Sequence, residues 1–316
     1  MEKEMDKKWL AIINPHAGSD RGLRHWDRIE RLLMEEGVEV APVFTGYRMH
    51  AAEICKNAVE DGWRRILAVG GDGTLNEVVN GLFSQSGVSP REVTVGLFQV
   101  GTGNDWARTM EYPSSYGEMA RCLARGQTFL QDVGVVSFGE GKKRERIFVN
   151  VAGFGFDAWV AEKTNRAKDR GKGGRFTYFL SMIKGLAAYK ASRATLGLAH
   201  AVRDVDLFSL SVGIGKFNGG GIKQLPDAVM DDGLFDIVLY KKMSLWQMFS
   251  SLKQLYRGML EHHPKVEYHK ASRITIRQAP DLFCECDGES AGYGPFSIRL
   301  IPKALKIVSA CAKGGA

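Results

Sequence analysis

Residues Arg64 to Leu82 read RRILAVGGDGTLNEVVNGL, and this stretch decides the fold. RILAVG reads as a strand buried in a sheet, and LNEVVNGLF as the helix that follows it. Gly70, Gly71, Asp72 and Gly73 separate the two. Glycines at such a junction permit positive φ and let a ligand approach the backbone. Thr74 is predicted as the helix N-cap, with Glu77 three residues on completing a capping box. The free amides of a helix start attract anions such as phosphate. Asp72 is the odd member, because a carboxylate repels phosphate. It makes sense beside a magnesium ion, or beside a hydroxyl that must lose its proton. A glycine turn with a capping aspartate is the plainer alternative.

The same alternation extends outward through the first third of the chain. WLAII (Trp9 to Ile13), VEVAPVF (38–44) and VTVGLF (93–98) read as further strands. GLRHWDRIERLLMEEG (22–37) and MHAAEICKNAVEDG (49–62) read as helices stopped by glycine. Strand–helix alternation predicts a parallel sheet with helices on its faces, and such sheets bind ligands beyond the carboxyl ends of their strands. Two more polar turns fall at those ends, INPHAGS (Ile13 to Ser19) and LFQVGTGNDWAR (Leu97 to Arg108). Three such turns on one sheet predict a single anion-binding crevice. A G-x-x-x-x-G-K-[ST] motif is absent, which excludes a P-loop enzyme. Gly153 and Gly155 match a dinucleotide fingerprint loosely, but no acidic residue closes a second strand about 20 residues later, as ribose recognition would need.

After about Asp132 the pattern changes. FLQDVGVVSF, RERIFVNVAGF, ATLGLA, DLFSLSVGIG, LFDIVLY, KVEYHKASRITIR, LFCECDGE and FSIRLIP read as strands joined by short turns. Helices are predicted at Asp157 to Ala167, Arg175 to Lys190 and Leu245 to Leu260. The reading is therefore an α/β domain over 1–132, to which 302–316 returns, and a mainly antiparallel β-sandwich domain over 133–301. The 316 residues suit two such domains. The net charge of +7 favours anionic partners without choosing among them. The charged N-terminus, MEKEMDKKWL, lacks a signal-peptide core, and no window reaches the about 18 apolar residues of a membrane span. The five cysteines have no zinc spacing and read as reduced thiols, as in a reducing cytosol.

Taken together, NPHAGS, VGGDGTLNEVVNGL, GTGNDWAR, NVAGFGFDAWV, GGGIKQLPDAVMDDGLFDIVL and the late DGE (Asp287 to Glu289) resemble the diacylglycerol kinase catalytic-domain family. That family includes bacterial soluble lipid kinases and the sphingosine and ceramide kinases. The motifs stand in the family's order and span nearly the whole chain. GGDGT alone is shared with NAD kinases and phosphofructokinases; the GGG, PDA and DDGLFD segment and the late DGE single out the lipid-kinase branch. The resemblance implies an NAD-kinase/phosphofructokinase-like three-layer domain followed by a β-sandwich. It implies ATP and Mg2+, with ATP phosphates held by Asn14, Pro15, His16, Ala17 and Gly18. Thr45 would lie by the nucleotide, with Gly71, Asp72, Gly73, Thr74, Leu75, Asn76 and Glu77 carrying the GGDGT contacts and Thr102 in a covering loop. Glu289 is implied as general base, with Asp72 competing or cooperating. A structural magnesium would take the carbonyls of Val229 and Leu234 and the side chain of Asp232, Asp231 being the alternative.

The implied activity is transfer of the γ-phosphoryl of ATP to a lipid hydroxyl, of diacylglycerol or a related alcohol. A soluble-acceptor kinase of NAD-kinase type and an inactive nucleotide- or lipid-binding regulator are the rival readings. The segment from Lys163 to Arg175 holds six basic residues and one acid, 6 − 1 = +5, beside an apolar helical stretch. Together they fit peripheral contact of a cytoplasmic protein with an anionic membrane, although a solvated loop beside a core helix fits equally. SLWQMFSSLKQLYRGML fits a packed helix, and His262 and His263 a surface turn. No basic stripe with interleaved aromatics marks a nucleic-acid binder. The oligomeric state stays open, a homodimer being one option. Gln99 departs from the family, which often has proline there.

Overall fold

Trp9–Ile13 (β1) is buried along its whole length, as a strand covered on both faces requires. It pairs in parallel with Val40–Phe44 (β2) on one side and Arg65–Gly70 (β3) on the other; Thr94–Gln99 (β4) continues the parallel order. Pro42 sits in β2, the edge strand, where a missing N–H is tolerated. The helices Ala17–Arg24 (α1) and Trp26–Glu35 (α2) follow β1, and His50–Glu60 (α3) follows β2. Asp72–Ser84 (α4) follows β3, and Asp105–Thr109 (α5) and Tyr116–Arg125 (α6) follow β4. In α1 the first turn is left-handed at Gly18, Ser19 and Asp20.

These elements come from a computed structural model that describes residues 7–139, 144–169, 189–198, 201–242, 247 and 263–310. The chain divides into two compact units, Met1–Gln131 with Lys303–Ala316, and Asp132–Pro302. Nearly all of the helices expected at Leu245 to Leu260 and at Arg175 to Lys190, the basic stretch beyond Asp169, and His262 lie outside the described residues.

The second part of the chain is antiparallel. Thr128–Phe138 (β5) pairs with Arg144–Phe148 (β6). Val151–Gly155 (β7) leads into Phe156–Asp169 (α7). Ser192–Leu198 (β8), Ala201–Gly213 (β9), Phe235–Lys241 (β10), Val266–Ala271 (β11), Arg273–Arg277 (β12), Phe283–Cys286 (β13), Glu289–Tyr293 (β14) and Phe296–Val308 (β15) complete it. The order is β14-β13-β7-β9-β8-β12-β15, with β10 and β11 branching from β9. In β12 Ile274 and Ile276 are buried while Arg273 and Arg277 face water, the alternation of a sheet with one wet face. Aromatic pairs fill the interior, Phe154 edge-on to Phe296 at 5.0 Å and Phe156 stacked on Phe208 at 4.9 Å.

Three expectations need correcting. RERIFVNVAGF is not one strand: it divides into β6 and β7. KVEYHKASRITIR divides into β11 and β12. Cys122 is disulfide-bonded, whereas Cys55, Cys284 and Cys286 are free and buried. Spacing along a chain does not reveal which distant thiols come within bridging range.

Candidate functional site

β1, β3 and β4 each end in a polar turn, and the first unit brings the three together. Asn14 donates from Nδ2 to Thr74 Oγ1 at 3.3 Å, tying the first turn to the second. Its Oδ1 accepts the His16 amide at 3.0 Å, which curls the first turn on itself. Arg21 donates to the Gly18 carbonyl at 2.8 Å and reaches the Gly101 carbonyl at 3.5 Å, linking the first turn to the third. The second and third turns meet backbone to backbone: a Cβ on Gly101 would lie 2.7 Å from the Cα of Gly71. Only glycine permits that approach.

Asp72 joins the same two turns through its carboxylate. Oδ2 accepts the Asp105 amide at 3.0 Å and Oδ1 accepts the Trp106 amide at 3.1 Å. Asp72 therefore opens α4 and caps α5. Helix starts leave amides without intrahelical partners, and an ionised carboxylate satisfies them strongly. The capping box expected at Thr74 and Glu77 does not form. α4 begins at Asp72, with Gly71 at the N-cap and no side-chain cap. Glu77 instead accepts the amides of Met49 at 2.9 Å and Ala51 at 3.2 Å, so it caps α3.

The other expected residues fall as follows. The Thr45 amide donates to Ile13 O at 2.9 Å, setting Thr45 beside the first turn. Pro15 accepts the Leu23 amide through its carbonyl, and the Ala17 amide donates to Asn14 O. His16 is exposed and bonds Asp20. Thr102 is exposed at the third turn. Leu75 and Asn76 are each 0% exposed, so their side chains belong to the interior. The arrangement fits a nucleotide's phosphates through its backbone: the turns form a glycine-lined cradle that a Cβ would fill.

The second unit presents two acidic turns. In the first, Val229 to Leu234, Asp232 accepts the Leu234 amide at 3.0 Å. Asp132, 0% exposed, accepts the Gly233 amide at 2.7 Å, and its own amide donates to Met230 O. Lys270 lies 3.6 Å from Asp232 and 2.9 Å from Asp236. One carboxylate and two carbonyls form a hard-oxygen set that suits a magnesium ion. Among the described residues no group of three or more His, Cys, Asp or Glu could hold a metal, so carbonyl ligands would be needed. Asp132 was not singled out from sequence; its signal was an acid inside an apolar strand.

The second turn is the late DGE. Asp287 and Gly288 have φ of 53° and 84°, and Cys286 pairs with Glu289 across them. This is the Asp-Gly hairpin that strand twist favours, and Glu289 opens β14 from it. The Asp287 carboxylate accepts the amides of Val149 at 2.9 Å, Asn150 at 2.9 Å and Val151 at 3.0 Å. Those bonds make the turn that parts β6 from β7. Behind the hairpin lie two acids that sequence reasoning passed over, the half-buried Asp157 and the buried Glu285. Asp157 accepts Ser211 Oγ at 2.5 Å and Gln224 Nε2 at 3.3 Å. Glu285, 1% exposed, accepts the Gly288 amide at 2.6 Å. Burial raises the pKa of Asp157. Burial pushes Glu285 up to about 8, with the charges of Asp157 and Asp287 adding to the rise and the Gly288 amide opposing it.

Polar glycine turns joined by Arg21 at the carboxyl ends of a parallel sheet fit the α/β enzymes that take phosphate-bearing ligands. Comparison with known proteins gives the family. Residues 8–136 match the diacylglycerol kinase catalytic domain, and residues 150–309 match the YegS C-terminal NAD kinase beta sandwich-like domain. The chain belongs to the diacylglycerol kinase catalytic-domain family. A diacylglycerol kinase of Staphylococcus saprophyticus is 28% identical over 291 residues, 92% of this chain and 92% of that one. One of Staphylococcus epidermidis is 28% identical over 303 residues, 96% of this chain and 92% of that one. A crystal structure of a diacylglycerol kinase from Bacillus anthracis has the same fold, with TM-score 0.74, 24% identity, and coverage of 96% of this chain and 97% of that chain. The family makes the chain an ATP-dependent phosphotransferase acting on a lipid alcohol. No helix among the described residues is long and apolar enough to cross a membrane.

Proposed function

We propose that the protein transfers the γ-phosphoryl group of ATP to the free hydroxyl of diacylglycerol. The observation that carries the donor half is the union of three glycine-bearing turns at one end of the parallel sheet. The names of the relatives carry the acceptor half. Asn14 to Gly18, Gly71 to Thr74 and Thr102 hold the nucleotide through amides and hydroxyls, with Thr45 alongside. Asp232 and the carbonyls of Val229 and Leu234 hold a magnesium ion, and Asp132 shapes that turn. That ion would be structural, whereas magnesium bound with ATP would supply charge neutralisation at the phosphates.

Glu289 is the general base, taking the acceptor hydroxyl's proton as the new P–O bond forms and the bond to the leaving ADP breaks. Asp72 suits that role less well, because both its oxygens already accept amides. Peripheral contact with an anionic membrane would bring the lipid to the enzyme, as the net charge of +7 supports.

The test is a transfer assay. Purified protein, labelled ATP and magnesium are incubated with detergent-dispersed diacylglycerol, phosphatidylglycerol or sphingosine, and separately with NAD. Label in phosphatidic acid is the expected result. Label in another lipid alone would replace the acceptor, and label in NADP alone would overturn the lipid assignment.

A further inference from the structure

Glu285 has no role in the reaction as described, yet its placement is unusual. It lies in β13 between Cys284 and Cys286, both 0% exposed, and is itself 1% exposed. An isolated charge there would be costly unless paired or neutralised. No cation is bonded to it among the described residues. Its hydrogen-bond partners are donors without charge: the Gly288 amide to Oε2 at 2.6 Å and Asn218 Nδ2 to Oε1 at 3.4 Å. The facing titratable groups are Asp157 from α7, Asp287 from the hairpin and Cys284 from its own strand. Every one is acidic.

The fold makes room for this cluster. A Cβ on Gly153 in β7 would lie 2.6 Å from Glu285 Oε1 and 3.0 Å from Asp157 Cβ, so both acids border the space that glycine leaves. Gly288 is the second residue of the Asp-Gly turn, directly before Glu289. Glu285 thus grips the peptide immediately upstream of the proposed base, and Asp287, the other residue of the turn, is anchored by the amides of Val149, Asn150 and Val151.

We propose that Glu285 is a positioning residue for Glu289: by accepting the Gly288 amide it fixes the hairpin that aims the base. Ionisation would strengthen the single bond to the Gly288 amide but add a charge beside Asp157 and Asp287, and like charges in the interior repel strongly. The hairpin would then shift, and turnover would fall. The rise of Glu285 to about 8 puts that event at the alkaline edge of the working range. This inference rests on Glu289 being the base.

The experiment measures kcat and KM for ATP and diacylglycerol from pH 6 to pH 10 in the full-length wild type, Glu285→Gln, Glu285→Ala and Glu289→Gln. Glutamine keeps the amide acceptor and cannot ionise. Expected are a wild-type kcat that falls above about pH 8, and a Glu285→Gln enzyme with near wild-type kcat at pH 7 that lacks this fall. Glu285→Ala should lower kcat about tenfold or more at every pH with KM for ATP unchanged. An alkaline fall in Glu285→Gln identical to that of the wild type overturns the proposal, also where Glu285→Ala fails to fold. Wild-type turnover by Glu289→Gln overturns the base assignment itself. An inactive Glu289→Gln with unaltered Glu285 variants overturns only the positioning role.

Discussion

Replacing Asp72 by asparagine separates scaffolding from chemistry in the first unit. Asp72 accepts two amides, those of Asp105 and Trp106, one on each oxygen. Asparagine presents one oxygen and one NH2 group, so one amide at the start of α5 must face a donor. A hydrogen bond to a charged acceptor contributes about 1.5–3 kcal/mol, and losing the charge at the start of α4 costs about 0.3–1 kcal/mol more. At about 1.4 kcal/mol per tenfold, the α5 amides should open at least about tenfold more often. The core strands are untouched, so global unfolding should change little.

The assay is native-state hydrogen exchange at Asp105 and Trp106, with Ile12 and Val69 as internal references, alongside kcat/KM for ATP. Faster exchange confined to α5 together with lost transfer is the expected outcome. Lost transfer with unchanged exchange would refute the scaffolding argument and place Asp72 in the chemistry alone. Faster exchange with normal transfer would remove the third turn from the nucleotide site.

Glu77→Ala should orphan the Met49 and Ala51 amides and lower stability by about 1–2 kcal/mol, seen as a lower Tm with kcat retained. Asp287→Asn should be more damaging, because three amides converge on that carboxylate. A loss of about 2–5 kcal/mol is expected, read by denaturant unfolding of the second unit, with a shift under about 1 kcal/mol counting against the clamp. Glu285 should make stability fall with pH. Its folded value, about 8, lies above the ordinary 4.5, so its contribution is complete below about 4.5 and lost as pH rises through about 8. The loss is on the order of a few kcal/mol, and Glu285→Gln should flatten that part of the stability curve.

The parts of the fold legible in sequence were those written in local pattern. β1, β3 and β4 are continuous apolar runs because helices cover both sheet faces, and the turns after β3 and β4 carry Gly71 and Gly101 because their backbones meet there. The Asp-Gly pair signals its hairpin for the same local reason. What misled was also local. Thr74 and Glu77 have the spacing of a capping box, but Gly71 already supplies the extended residue before α4, so the helix starts earlier and Glu77 points elsewhere. Its partners lie 28 and 26 residues upstream. Asp287 finds its amides 136 to 138 residues away, and Glu285 meets Asn218 and Gly153, neither of them near its strand in sequence. No periodicity records such pairings, because they depend on which turns the finished sheet brings together.

The acids of the motifs share one physical task that their appearance in a catalytic motif hides. Asp72, Glu77, Asp132, Asp287 and Glu285 each accept at least one backbone amide in a turn or at a helix start. A turn that must hold a precise shape points several N–H groups at one spot, and a carboxylate offers two strong acceptor oxygens there. Serine or asparagine would satisfy one such group and leave its neighbour unpaired. The requirement for acids at these positions is therefore explained in large part by backbone geometry, before any proton or metal is considered. A loss of activity on removing one of them is consequently weak evidence for a direct chemical role, and measurements that report turn geometry separately from turnover carry the argument further.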